Sequence, residues 1–535
     1  MNKSLHLILS LPFALLLGAG PAASDWPQWR GPSRDGQVPQ EESVRLAETW
    51  PEGGPVLIWE SEPIPGDDSN NGGYGSVVVA DGRVYLYVNW QGQVTLPSRI
   101  LVNDSLRRLG WSEDAALPAA AEEKVEAGRL SPERMTLEKK AVRPWIDEWM
   151  AGNLTGEEQE AFGSQVRDRL RLGAAALAPE RIRELEALRK RFFATEEDLA
   201  ASLQELGWSE ESTTRLLESL TGEYDAKDAI LCLDAADGKT LWRVEYPGIS
   251  YSKAGTSSTP AIADGRCYVV GGNGFVYGLD ARTGRTIWMT NPTGNVESEL
   301  SSSPVVVDDR VVAMCVPLTA FDASTGEVIW QQPLLRSRNN SPVVWTVEGK
   351  NYLLCNDNQS AKVACVDPED GRVVWTVPGG GRSTVVVSDG IMVVFSAEKQ
   401  AHLSAVRLSL TDPEVIWRHD QFVGRGESPV VVDGHVYVFG MEGRAACVEL
   451  HTGKIAWDAG IGRSGVASPI ALDGKIVIPY SWSTKLMLIQ ATPDHYTVLA
   501  EAALPICQVA SPAFAHGKLY LRMKHAVACY DIMAE

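Results

Sequence analysis

The stretch that decides the fold runs Ser257-Ser-Thr-Pro-Ala-Ile-Ala-Asp-Gly-Arg-Cys-Tyr-Val-Val-Gly-Gly-Asn-Gly-Phe-Val-Tyr-Gly-Leu-Asp-Ala-Arg-Thr-Gly-Arg-Thr-Ile-Trp288. It holds four short apolar runs, each closed by a turn signal. Ala261–Ala263 ends at Asp264-Gly265, Cys267–Val270 at Gly271-Gly272-Asn273-Gly274, and Phe275–Leu279 at Asp280 and Thr283-Gly284; Thr286–Trp288 begins the fourth. Asp-Gly and Asn-Gly accept the positive φ of tight hairpins, so the four runs are expected to form one antiparallel meander.

The unit recurs. Its Ser/Thr-Pro opening returns as Thr259-Pro260, Ser303-Pro304, Ser341-Pro342, Ser428-Pro429, Ser468-Pro469 and Ser511-Pro512, while Ser383-Thr384 and Gly75-Ser76 stand in the same place without proline. The closing tryptophan returns as Trp242, Trp288, Trp330, Trp375, Trp417 and Trp457, with Trp59 as a further copy near the N-terminus. A four-strand unit at a period of about 38 to 46 residues is the mark of propeller blades. Eight openings imply eight blades. The last copy, from Ser511 to Asp531, supplies three strands, and Leu57-Ile58-Trp59 is a closing strand without an opening of its own. The N-terminal strand is therefore expected to complete the C-terminal blade and leave no open edge.

Two features interrupt this all-β pattern. Lys3, the apolar run Leu5–Leu17 and Ala22-Ala23-Ser24 read as a leader, residues 1–24, removed near Asp25. The chain is then exported, periplasmic or extracellular. No cysteine lies near the cleavage site, so no membrane anchor is expected after cleavage. Residues 91–226 lack β-branched runs and divide blade one, separating residues 25–90 from the remainder of the ring, 227–535. Ile182, Leu185, Leu188 and Phe192 fall at helical spacing, and Thr155 and Thr195 stand where helix caps belong. Ser105-Leu-Arg-Arg-Leu-Gly-Trp-Ser-Glu113 is echoed by Ser202-Leu-Gln-Glu-Leu-Gly-Trp-Ser-Glu210, a duplicated helical unit. This α-helical insertion is either a packed cap or a partner-docking domain.

Bulk properties narrow the function. With 49 basic against 69 acidic residues the net charge is −20, which argues against nucleic acid or an anionic membrane as partner. Of the eight cysteines, Cys232, Cys365, Cys447 and Cys529 repeat at equivalent strand positions, too far apart to bond between blades, and all eight are expected to be buried thiols; Cys355 and Cys365, which flank one hairpin, are the pair to test.

After the leader comes Asp25-Trp26-Pro27-Gln28-Trp29-Arg30-Gly31-Pro32-Ser33-Arg34-Asp35-Gly36. Together with the Ala-x-Thr-Gly-x-x-x-Trp turns, this resembles the start of secreted bacterial PQQ-like (pyrroloquinoline quinone repeat) β-propeller proteins of the Planctomycetes and Verrucomicrobia type. The resemblance implies an eight-bladed quinoprotein-like fold, with Trp26 and Trp29 packing across one end. Within that fold class, quinone-dependent dehydrogenases seat their cofactor between a tryptophan platform and an adjacent-cysteine disulfide, with calcium held by Glu, Asn and Asp. This sequence has no Cys-Cys pair, and no such triad is matched. No cofactor or metal is expected; PQQ and calcium belong to the alternative reading.

The loops entering the innermost strands line the channel mouth of a propeller, and here they are polar. Arg338, Arg382, Arg425 and Arg463 occupy four successive loops, accompanied by Asn339, Asn340 and Glu427; Lys253, Glu297, Glu299 and Gln508 lie in others. Converging guanidiniums suit a carboxylate or a peptide C-terminus. They suit inter-blade ion pairs with Glu297, Glu299 and Glu427 equally well. No catalytic residue stands out. The favoured reading is a monomeric, non-catalytic binding or scaffold protein that takes a protein, a peptide or a small anionic ligand at the channel mouth or on the helical insert. The alternative is a PQQ-dependent dehydrogenase with diverged metal ligands.

Overall fold

The computed structural model describes residues 25–39, 45–64, 72–91, 101, 106, 109–110, 117–219, 226–248, 257–293, 301–337, 339–463, 465, 467–480 and 484–534. The expected leader lies outside them. The described strands form eight four-stranded antiparallel sheets, the eight blades that the repeat predicts. The stretch quoted above becomes Ala261–Ala263, Arg266–Val270, Val276–Asp280 and Thr286–Thr290, paired in that order. Asp81-Gly82, Asp264-Gly265, Asp389-Gly390, Asp433-Gly434 and Asp473-Gly474 take positive φ at both positions, the twist that lets a two-residue loop join the two inner strands. The last blade runs Val56–Glu60, Val527–Asp531, Lys518–Arg522, Ala513–Ala515. Val56–Glu60 is antiparallel to Val527–Asp531, so the ring closes on its own N-terminal strand.

The repeating tryptophans join each blade to the next. The indole N–H of Trp59 donates to Ala235 O at 2.9 Å, Trp242 to Ala281 O at 3.1 Å, Trp288 to Ala323 O at 3.1 Å, and Trp330 to Pro368 O at 2.9 Å. Each acceptor lies in the outer turn of the following blade. The glycine of that turn lies against the same ring: a Cβ on Gly326 would stand 2.5 Å from Trp288. The join from blade four to blade five is incomplete. Blade five closes its third strand with Leu408-Ser-Leu-Thr-Asp-Pro413, and the buried indole N–H of Trp375 finds no acceptor among the described residues.

All eight cysteines are buried free thiols. Cys355 pairs with Ala364 and Cys365 with Leu354, adjacent rungs whose side chains leave opposite faces of the sheet. They enter different hydrophobic clusters and cannot be bridged.

Between Arg83–Gln91 and Ala226–Asp234 the described insertion is helical: Ala119–Arg129, Pro132–Thr136, Lys139–Asn153, Gly156–Leu172, Pro179–Leu188, Glu196–Glu205 and Glu210–Ser219. The expected caps are present, since Thr155 with Glu158 and Thr195 with Asp198 each form a reciprocal capping box. Two small cores hold these helices, one around Val125, Ile146 and Val166, the other around Leu185, Leu199 and Leu203. Most of the first duplicated copy, 105–113, lies outside the described residues, but Leu106 and Leu109 join the second core. Phe192 departs from the expected helical face. The helix stops at Leu188, and Phe192 meets Tyr246 of blade one edge-on, ring centroids 6.5 Å apart. No helix among the described residues is long and apolar enough to cross a membrane.

The tryptophan–glycine join yields a paired test. Gly326 (φ +73°) lies against Trp288, whereas Gly349 (φ +76°) has open space where a Cβ would go. Gly349→Ala should cost about 1–2 kcal/mol for its backbone conformation alone. Gly326→Ala adds a clash and should cost about 2–4 kcal/mol. Urea unfolding of both variants checks the difference, and equal losses would show that the ring contact contributes nothing.

Candidate functional site

Every innermost strand begins with a serine or threonine whose backbone N–H points away from its own sheet. The next blade supplies the acceptor. Ser76 N–H donates to Thr259 Oγ1 at 2.9 Å, Thr259 to Ser303 Oγ at 3.1 Å, Ser303 to Ser341 Oγ at 2.9 Å, and Ser341 to Thr384 Oγ1 at 3.2 Å. Thr384 donates to Ser428 Oγ at 3.1 Å, Ser428 to Ser468 Oγ at 3.0 Å, and Ser511 back to Ser76 Oγ at 2.9 Å. Seven of the eight hydroxyls thus form a belt around the channel, each accepting from one neighbouring blade and retaining its own proton to donate, with no such bond described between Ser468 and Ser511. Ser76 and Thr384 keep this role without proline, and that is the signal by which the sequence could have revealed the belt.

The segment that begins at Asp25 crosses the ring. Trp26 exchanges two backbone bonds with Val79 of blade one, at 2.8 and 2.9 Å, and Pro27 O accepts from Ile262 of blade two at 2.7 Å. Gly36 O accepts from Ala471 of blade seven at 2.8 Å. Between these anchors lie Arg30 and Arg34, each 1% exposed. Arg34 donates to Ser303 O at 3.2 Å, to Pro342 O at 3.1 Å and to Pro304 O, while Arg30 donates to Pro429 O at 2.5 Å and Asp35 O at 2.8 Å. Carbonyls at the belt therefore solvate the Arg34 guanidinium, whereas Arg30 bonds through Nη2 alone and its buried Nε and Nη1 have no partner among the described residues. Burial lowers Arg34 to about 9; it lowers Arg30 to about 10, with Asp35 opposing the shift. Both remain cations at neutral pH. Trp26 is buried as expected, but Trp29 is only half-buried and faces the channel mouth.

Above this plug is a cavity of ≈ 250 Å³. Trp29, Tyr74 and Met441 give it apolar surface, Ser76, Thr259, Ser303, Ser341, Ser468 and Ser511 present belt hydroxyls, and Asn339, Arg382 and Arg425 stand on its wall. No carboxylate is among the described lining residues. A hard divalent cation would meet hydroxyls and an amide here but no anionic oxygen. Among the described residues no group of three His, Cys, Asp or Glu side chains could hold a metal ion.

The candidate residues separate in this frame. Arg382, Arg425 and Asn339 share the cavity. Arg463 does not line it: at the exposed rim it donates to Glu442 at 3.0 Å, and Arg425 pairs with the same carboxylate. Glu442, which the sequence reading did not single out, is thus the inter-blade partner of two arginines. Arg338, Lys253, Glu297 and Glu299 lie outside the described residues. Gln508 adjoins Val509, which does line the cavity.

Glu427 is not among the residues lining the cavity, and its described hydrogen bonds are to backbone N–H groups. It is buried, and its carboxylate accepts Met441 N–H at 3.1 Å and Arg425 N–H at 3.2 Å. It stands in the column of Ser258 and Ser302, the residues before the belt hydroxyls, which likewise accept from the end of their blade's second strand, Val270 and Met314. Asn340, in the same column, bonds forward to Gly381 O and Ser383 O of blade five at 3.1 and 2.9 Å. The column is a structural strut, and Glu427 fills it with a longer side chain.

Burial raises the Glu427 carboxyl to about 7. A folded value above the unfolded one means that the native state holds a proton the unfolded chain has lost. The resulting stability is full below about pH 4.5 and disappears as pH rises through about 7. The stability of the wild type relative to Glu427→Gln should therefore fall by about 2–3 kcal/mol between pH 5 and pH 8. Denaturant titrations at both values check this, and a pH-independent difference would place the carboxyl's folded value at its ordinary one.

The repeat and the belt agree with sequence comparison. The family described as outer membrane protein assembly factor BamB matches residues 219–406, 318–471 and 399–525, which together exceed half the chain. The BamB of Moranella endobia (strain PCIT) is 26% identical over 230 residues, covering 38% of this chain and 57% of that protein. Quinohemoprotein alcohol dehydrogenase ADH IIB of Pseudomonas putida is 31% identical over 117 residues, 19% of this chain and 17% of the relative. The chain spans about half the length of the first curated relatives it matches. The solved BamB of Moraxella catarrhalis superposes with a TM-score of 0.47 at 14% identity, over 57% of this chain and 91% of that one. On the strength of the repeated family matches, this chain belongs to the PQQ-repeat propeller family described as outer membrane protein assembly factor BamB.

Proposed function

We propose that this chain is an exported, non-catalytic binding propeller whose channel mouth receives an anionic group, either a carboxylate on a partner protein or peptide or a small anionic ligand. The observation that carries this reading is the blind cavity itself. Arg382 and Arg425 stand on its wall, Arg30 and Arg34 are buried in the plug beneath it, and belt hydroxyls face it, without a carboxylate in the described lining. Guanidiniums on the wall of a concave site add their fields at its mouth and offer forked donors to a carboxylate or phosphate. Trp29 and Tyr74 offer apolar surface to whatever carries the charge. Membership in the BamB family favours a protein partner, and the expected leader makes the site periplasmic or extracellular.

Arg382→Ala together with Arg425→Ala is the direct test. Binding of a carboxylate or phosphate found by thermal-shift screening of the wild type should be lost. The melting temperature of the double variant should stay within about 2 °C, because exposed ion pairs contribute little. A destabilised double variant, with a wild type unresponsive to the whole screen, would reduce the arginines to inter-blade struts.

A second reading, a quinone-dependent oxidoreductase, rests on the local similarity to the alcohol dehydrogenase. The donor set at the cavity does not fit the calcium that such an enzyme carries. Protein mixed with PQQ and calcium is expected to show no stoichiometric quinone spectrum and no dye-linked oxidation of alcohols or sugars. A tight spectral complex would reverse the assignment.

A further inference from the structure

The helical insert carries a second concave surface with a chemistry of its own. It is a groove of ≈ 820 Å³ between the Lys139–Asn153 helix, the short Pro132–Thr136 helix and the far half of Gly156–Leu172. Leu137, Val142 and Ile146 give it apolar surface, and five cations surround that surface: Arg134, Lys139, Arg143, Arg167 and Arg171. Asp147 is the one carboxylate among the described lining residues. In a chain of net charge −20 this is a local inversion of sign.

The five cations are not equally committed. Arg134 is spent on structure, donating to the carbonyls of Leu170 at 2.7 Å and Arg171 at 2.5 Å at the end of the long helix. Arg167 pairs with Asp147, and Arg171 with Asp168 at 3.0 Å, all four side chains being well exposed. Lys139 and Arg143 are exposed and have no ion pair among the described residues. They lie four positions apart, one helical turn, so their charges add on the same side of the groove.

We propose that this groove docks an acidic amphipathic helix of a partner protein, with its apolar stripe on the half-buried Leu137 and Val142, above the buried Ile146, and its carboxylates on Lys139, Arg143, Arg167 and Arg171. Charge complementarity favours that occupant. An inorganic anion would leave the apolar surface uncovered. A membrane or a nucleic acid presents an extended anionic surface, which would meet Glu133 and Glu148 on the same helices, and Glu138 between them, together with the cations. A single helix seated in the concavity meets the cations at close range, and helix-in-groove docking needs only a few apolar anchors at one-turn spacing. This site is separate from the channel mouth and does not depend on it.

The test uses the full chain and a fluorescein-labelled, 18-residue amphipathic peptide with leucine on one face and glutamate on the other, followed by fluorescence anisotropy. A matched peptide with glutamine in place of glutamate is the control. Binding of the acidic peptide is expected to weaken with salt, and Lys139→Glu with Arg143→Glu should weaken it by about ten-fold or more. Both residues are exposed, so far-UV circular dichroism and the melting temperature should be unchanged. Equal affinity for the glutamine peptide, or an unaltered affinity in the Lys139/Arg143 variant, would overturn the proposal. So would preferential binding to phosphatidylglycerol vesicles or single-stranded DNA, or self-association that the same variant dissolves.

Discussion

A ring of separate sheets has one recurrent difficulty: each innermost strand begins with a backbone N–H that its own sheet cannot satisfy. A buried, unpaired amide costs about 1–3 kcal/mol, and eight of them would consume the net stability of an ordinary domain. The hydroxyl belt removes that cost. Seven of its links join consecutive blades, from Ser76 through Ser341 and Ser428 and back from Ser511 to Ser76. The belt fixes the diameter of the channel, because each link sets how closely two blades approach. It also accounts for the character of the cavity, since oxygens that tie the blades together are the oxygens that line it.

The plug meets the complementary difficulty. The belt satisfies N–H groups and leaves the carbonyls of Ser303, Pro304, Pro342 and Pro429 facing the axis, and Arg30 and Arg34 donate to them. Proline at these positions fits the same logic, because it adds an acceptor without a donor. Desolvating a guanidinium is costly, and an arrangement of several carbonyl dipoles around a rigid five-donor fork is among the few that offset it without a carboxylate. The arrangement lends positive potential to a channel that the overall composition would make negative.

The ring was legible because its signals are local and repeated. Asp-Gly turns, tryptophans at a fixed period and an unpaired Leu57-Ile58-Trp59 strand each follow from short-range rules, and eight copies average away the noise. The inward-facing chemistry was legible only in part. Arg382, Arg425 and Asn339 could be placed at the mouth because they precede the innermost strands. Glu427 occupies the same loops, yet its carboxylate faces Met441 N–H, a direction set by the neighbouring strand end and invisible in its own spacing. Glu442 was missed because it lies in the hairpin between the second and third strands of its blade and reaches the rim through tertiary packing. Arg30 and Arg34 sit in a motif whose resemblance marked it as a unit, while their partners come from blades hundreds of residues away. In the insert the capping boxes were readable from four residues each. The end of the Pro179–Leu188 helix was not, because Phe192 obeys a contact with Tyr246 and not the helical period.

The closing strand has a consequence for how the molecule is made. Ser61 Oγ receives the N–H of Val527 across 466 positions of chain, so the last blade is complete only when nearly all of the chain has appeared. Until then Val56, Leu57 and Ile58 lie on an unpaired strand; even in the finished ring they remain 56%, 50% and 39% exposed. Contacts of such long range form late and slowly, and an apolar strand edge that waits is a template for pairing with other chains. Without that last pairing the ring has seven complete blades and one open edge.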